Sequence, residues 1–178
     1  MTTNKKSFLQ NWNLDKTLSL MAFLISLGTF FLLYYQTNLT RKQQYASVLP
    51  YLELFNRNPQ EHTYSFCIAN NGIGPAFIKK VEVHYQDSVF ITDPANFLYN
   101  QIYPQDTTIS FVHTNLAEGT LLPAGAVIEL LVVKEDLKSA TQLRQLFGFG
   151  QAELLVVFAS VYDEEWVVRT GNFPQKLK

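Results

Sequence analysis

Cysteine is almost missing from this chain. Cys67 is the single one in 178 residues, so no disulfide can close within the chain and no cysteine-based zinc cluster can form. Histidine is scarce too. His62, His84 and His113 lie far apart and share no ligand spacing of the H-x-x-x-H kind. No G-x-S-x-G elbow occurs, and no glycine-rich loop ends in Gly-Lys-Ser/Thr. Cys67 has neither a base nor a cation beside it in sequence, and in an alternating stretch it reads as a small packing residue. His84 stands two residues from Glu82, and a solvated strand face accounts for that pair. These absences leave no nucleophile–base pair from which to build an active site. The expectation is no catalytic residue, no metal ligand set, no cofactor and no enzyme.

Charge is thin as well, and unevenly placed. The net charge of −1 hides an asymmetry. Residues 1–45 hold Lys5, Lys6, Lys16, Arg41 and Lys42 against Asp15, while the rest carries nine basic and fourteen acidic residues. An acidic body argues against nucleic acid as a partner, because phosphate neutralisation needs cations. The basic residues flank "TLSLMAFLISLGTFFLLYY", Thr17 to Tyr35, which contains no charge. At about 1.5 Å per residue it matches the roughly 30 Å hydrocarbon core of a bilayer. Trp12 precedes it and Tyr34 and Tyr35 close it, as interfacial aromatics do. A soluble core helix of this length would carry charge on some face, and "FFLLYYQTN" is a poor signal-peptidase site.

The reading is a short tail over residues 1–16, a membrane helix over 17–37 and a polar helical stalk over 38–49. Pro50 then forces the chain extended. Ser19, Ala22, Ser26 and Thr29 form a stripe of small residues that could seat a second helix, or that a lone helix simply tolerates. The positive-inside rule leans toward a cytoplasmic N-terminus and an extracytoplasmic body, with the cytoplasmic alternative open.

Residues 50–174 follow period two. "YLELF", "TYSFCIA", "FIKKVEVHY", "TTISFVH", "AVIELLVVK", "AELLVVFASVY" and "EWVVRT" read as about seven strands, the last two as a hairpin. In the third, Phe77, Val81, Val83 and Tyr85 are expected on one face, with Lys80, Glu82 and His84 on the other. "AVIELLVVK" is apolar enough to be covered on both faces. "DPANFLYNQIYPQD" reads as a connection with a buried aromatic turn, and "DLKSATQLRQLFGF" as a short helix ended by Gly148 and Gly150. The pattern predicts a mainly β fold, an immunoglobulin-like antiparallel β-sandwich on an N-terminal transmembrane helix.

Between two strands lies "NNGIGPA", residues 70–76. Asn71, Gly72, Gly74 and Pro75 make it a structural corner: Asn and Gly tolerate left-handed angles, and Pro75 pushes Gly74 extended. Asn70 or Asn71 can bond the turn backbone. A phosphate cradle would need a helix to follow, and a strand pattern follows instead. "NNGIGPA", "LLPAGAVIEL" and "VYDEEWVVR", in that order, resemble a set of uncharacterised bacterial membrane-anchored proteins. Asn71, Gly72, Gly74, Pro75 and Ala76 match the first motif, Gly125 the second, and Tyr162 and Asp163 the third. The usual glycine of the last hairpin is replaced by Glu164 and Glu165. The resemblance implies a sandwich on a stalk in a bacterial inner membrane, and no chemistry.

Two acidic runs remain, Glu135-Asp136 and Asp163-Glu164-Glu165. Carboxylates at loops can hold a cation, but a proper site needs six or more oxygens, and solvated hairpin tips explain the runs as well. Two functions follow. One is an interaction or accessory protein whose partners are the bilayer and another membrane protein, or a second copy through the helix. The other is a ligand or ion sensor signalling through the stalk.

Overall fold

The computed structural model describes residues 14–57, 60–104 and 108–177. Most of the expected N-terminal tail, with Lys5, Lys6 and Trp12, lies outside them, as does Thr107. The first element is one helix, α1, Leu14–Ala46. Leucine, phenylalanine and alanine supply helix propensity, and no proline interrupts it. Thr29 and Thr37 turn their hydroxyls inward, donating to the Ile25 and Leu33 carbonyls at 2.8 Å. That satisfies both groups without water. Leu49 leaves helical geometry because Pro50 follows. Across its described side chains α1 is exposed. Its most apolar 18-residue window has a mean hydropathy of 1.9. It is long and apolar enough to cross a membrane.

The chain divides into two units at Gln44 and Tyr45. In the second unit, the body, ten strands form among the described residues: β1 (Leu52–Arg57), β2 (Tyr64–Asn70), β3 (Ala76–Tyr85), β4 (Ser88–Phe90), β5 (Val112–His113), β6 (Leu121–Leu122), β7 (Val127–Val133), β8 (Ala152–Ala159), β9 (Glu165–Arg169) and β10 (Gln175–Lys176). They make two antiparallel sheets. One runs β1-β2-β7-β5 and the other β10-β9-β8-β3-β4, with β6 also on β3. The expected hairpin is β8–β9, in register from Ala159 opposite Glu165 to Leu155 opposite Arg169.

The three strands beyond the expected seven, β4, β6 and β10, are two or three residues long, too short to show a period. "TTISFVH" pairs only at Val112 and His113. On β3 the expected face is wrong at its start. Ile78, not Phe77, is buried with Val81 and Val83. A bulge between Ile78 and Lys80 inserts Lys79 and shifts the phase by one. β7 is covered on one face only, since Val127 and Glu129 are exposed.

One cluster of buried side chains takes members from both sheets, among them Leu54, Tyr64, Phe66, Ile68, Val83, Leu154 and Phe158. Two helical segments complete it. α2 (Pro94–Phe97) starts at Asp93, whose Oδ1 accepts from the Ala95 and Asn96 amides. It sets Phe97 between Tyr85 and Phe90, at ring distances of 5.6 and 5.2 Å. α3 (Leu137–Leu143) starts at Asp136 and runs into a π-helical turn through Gly148, which stacks Phe147 on Phe66 at 5.0 Å.

Candidate functional site: the corner that seats the incoming chain

Residues 71–75 carry the chain from β2 in one sheet to β3 in the other. They also hold the segment arriving from α1. The Asn71 amide donates to Tyr51 O at 2.8 Å, and the Ile73 and Gly74 amides reach Leu49 O at 3.1 and 3.3 Å. The backbones lie so close that no side chain fits between them. A Cβ on Gly72 would stand 2.4 Å from Leu49 O and Tyr51 N, and one on Gly74 would stand 1.8 Å from Val48 O. Neither glycine has a positive φ. Left-handed freedom is therefore not what these two positions need; the close approach of the two backbones requires glycine there. Asn71 faces outward and donates its side-chain amide to Glu53 Oε2 at 2.6 Å.

The residue at the centre is Asn70, fully buried at the end of β2. Its Oδ1 accepts from Tyr51 N at 3.2 Å and Gly72 N at 3.1 Å. Its Nδ2 donates to Gly74 O at 2.8 Å and Leu122 O at 3.0 Å. All four bonding positions of the amide are used, which is what burial of a polar group requires. Its backbone carbonyl accepts from Gly125 N at 2.8 Å, where Gly125 has a φ of 73°. Asn70 thus ties together the segment after α1, the sheet-to-sheet corner and the turn before β7. The sequence offered one sign of this: Asn70 continues the core-facing phase of Tyr64, Phe66 and Ile68.

The turn between β8 and β9 reaches the same end of the body. Tyr162 packs on Tyr45 with ring centroids 4.5 Å apart. Asp163 takes a φ of 57°, the Ser160 amide donates to Glu164 O, and Lys79 Nζ stands 3.7 Å from Asp163 Oδ1. The three sequence stretches singled out above therefore meet where the chain arrives from α1. Large apolar side chains are exposed there: Ile73 at 67%, Leu121 at 49%, Val161 at 46% and Tyr162 at 45%.

The acidic runs are separated. Asp136 caps α3, accepting from Lys138 N and Ser139 Oγ, and its own amide donates to His62 O. The Ser139 hydroxyl holds the Asp136 carboxyl below its ordinary range. Glu135 takes a φ of 56° beside it. Glu164 bonds Lys176 at 2.5 Å, and Glu165 begins β9. No group of three or more metal-ligating residues comes together among the described residues. His84 Nε2 lies 3.4 Å from Glu82 Oε2, and Lys80, at 2.6 Å, holds that carboxyl below its usual range. Burial pushes the Cys67 thiol up, away from the reactive thiolate. On the outer face of the four-stranded sheet, an open depression of about 530 Å³ is lined by Arg57, Thr114, Val127, Ile128 and Glu129. An Arg57–Glu129 ion pair, 3.6 Å apart, belongs to that lining.

In α1, Ser19, Ala22, Ser26 and Thr29 are exposed, with the Thr29 hydroxyl committed to its own helix. No family model matches this chain, and no curated protein or solved structure does either.

Proposed function

We propose that this chain is a single-pass membrane protein whose body, an immunoglobulin-like sandwich, docks another membrane protein at the bilayer and performs no catalysis. The observation that carries this reading is α1. Its run from Thr17 to Tyr35 carries no charge on any face, the side chains of that run are exposed, and its length fits the hydrocarbon thickness. The basic flanks favour an N-terminus in the cytoplasm and a body outside it, in a bacterial inner membrane.

The apolar tips around Asn70 support a docking role. Ile73, Val161 and Tyr162 sit on turns, where recognition residues commonly lie, and Leu121 sits on the short strand β6 beside the start of β3. Lys79 and Asp163 beside them neutralise one another, so the surface favours an apolar, uncharged counterpart. The test is purification from native membranes in mild detergent, with and without Ile73→Asp and Leu121→Asp. A stoichiometric partner lost in the double variant, with membrane retention unchanged, is the expected result. A protein that extracts without detergent overturns the anchor. A monomer, or a partner indifferent to both substitutions, overturns the docking surface.

A further inference from the structure

Asn71 and Gly72 form an Asn-Gly peptide at an exposed corner. In a flexible chain this dipeptide is chemically fragile, because glycine leaves its own nitrogen sterically open to attack the preceding side chain. The Gly72 nitrogen adds to Asn71 Cγ and loses its proton to solvent. The Cγ–Nδ2 bond breaks and ammonia leaves. Water then opens the cyclic imide to aspartate or isoaspartate at position 71. Each step needs only water.

The fold opposes the first step at both reacting groups. The Gly72 N–H is held by Asn70 Oδ1 at 3.1 Å, and the Asn71 side-chain amide is held on Glu53 Oε2 at 2.6 Å. The Asn71 backbone amide is fixed on Tyr51 O. Attack requires the Asn71 carboxamide to leave Glu53 and swing onto a nitrogen whose proton is already engaged. Nor can the chain escape the hazard by changing residue 72, where any Cβ would meet the backbone of Leu49 and Tyr51 at 2.4 Å.

We infer that Asn71 is a latent deamidation site, held shut while Val48–Tyr51 sits on the corner and released when that seat opens. The change is one-way. A carboxylate at position 71 can no longer donate to Glu53 and faces it with like charge. An isoaspartate also adds a backbone atom where the two sheets are joined. Deamidation at Asn71 therefore marks chains whose corner has opened.

The experiment incubates the full chain in detergent at mildly alkaline pH and follows aspartate and isoaspartate at position 71 by peptide mapping. The denatured chain serves as reference, and Glu53→Ala and Glu53→Gln as variants. The native chain is expected to react at least about tenfold more slowly than the denatured one, since reaction waits on local opening. Glu53→Ala is expected to speed native deamidation several-fold with little change in melting temperature. Glu53→Gln, which keeps an acceptor, restores much of the protection. Equal rates in native and denatured chains overturn the inference, and so does a native rate indifferent to Glu53→Ala.

Discussion

The two ends of the β body are closed by opposite means. At the end that receives α1, backbone meets backbone. Gly72 and Gly74 have no side chain, and a single buried amide, Asn70, fills what space remains. At the other end, side chains reach across to backbone. Arg144 Nη2 donates to the Gln60, Glu61 and Thr63 carbonyls at 3.5, 3.2 and 3.1 Å, and Asp136 caps α3. The first closure is geometric, and the groups at its centre, main-chain atoms and the Asn70 amide, carry no charge. The second is electrostatic and adjustable. A contact made by a long side chain can lengthen or shift; a contact between two main chains cannot.

The largest expected effect tests that contrast at its stiffest point. Gly74→Ala places a methyl 1.8 Å from Val48 O, so one of the two main chains must move. The cost should be about 3 kcal/mol or more, at the upper end of what overpacking does. Thermal or denaturant unfolding of the detergent-solubilised chain measures it. Gly28→Ala in α1, with nothing within 4 Å of the added carbon, is the control and should cost nothing. A Gly74→Ala chain as stable as the parent would mean that the corner gives way, and the contrast between the ends would collapse.

Arg144→Ala should have a middling effect, about 1–2 kcal/mol, from the loss of charge-assisted bonds to three carbonyls at a partly exposed site. Arg144→Lys should recover part of it, since an ammonium on a flexible stem can still reach one carbonyl but is not held among all three. If the alanine variant costs as much as Gly74→Ala, the far end is as rigid as the near one.

These differences also decide what could be read from the sequence. Strands long enough to show a period were legible, as were α1 and the break at Pro50. The three shortest strands were not, because two residues define no alternation. The bulge at Lys79 was hidden for a related reason: one extra residue reverses the phase, and "FIKKVEVHY" reads smoothly either way. At the corner, Asn71, Gly72, Gly74 and Pro75 stood out as turn chemistry. The reason for the glycines lay in Val48–Tyr51, some twenty residues earlier, beyond any local pattern. Asn70 was legible in principle. A polar side chain on the core-facing phase of a strand has to find partners, and it found four.

The smallest expected effect separates the ends by acid. The Asp136 carboxyl is held below its ordinary value chiefly by the Ser139 hydroxyl, and also by the Ser139 and Lys138 amides. A carboxyl with a lowered folded-state pKa stabilises the fold fully above its unfolded value and loses that contribution as the pH falls through the folded one. The α3 start should therefore weaken in acid, over roughly pH 4 and below. Asp136→Asn keeps a capping side chain without the titration. Its melting temperature should start slightly below the parent's at neutral pH and converge with it in acid. The bonds of Asn70 involve no titrating group, so amide exchange at Gly72 and Gly125 should not respond directly to acid while that at Lys138 and Ala140 accelerates beyond the intrinsic pH effect. Parallel acceleration at both ends would mean that they open together, and the near end would owe its rigidity to the far one rather than to its own glycines.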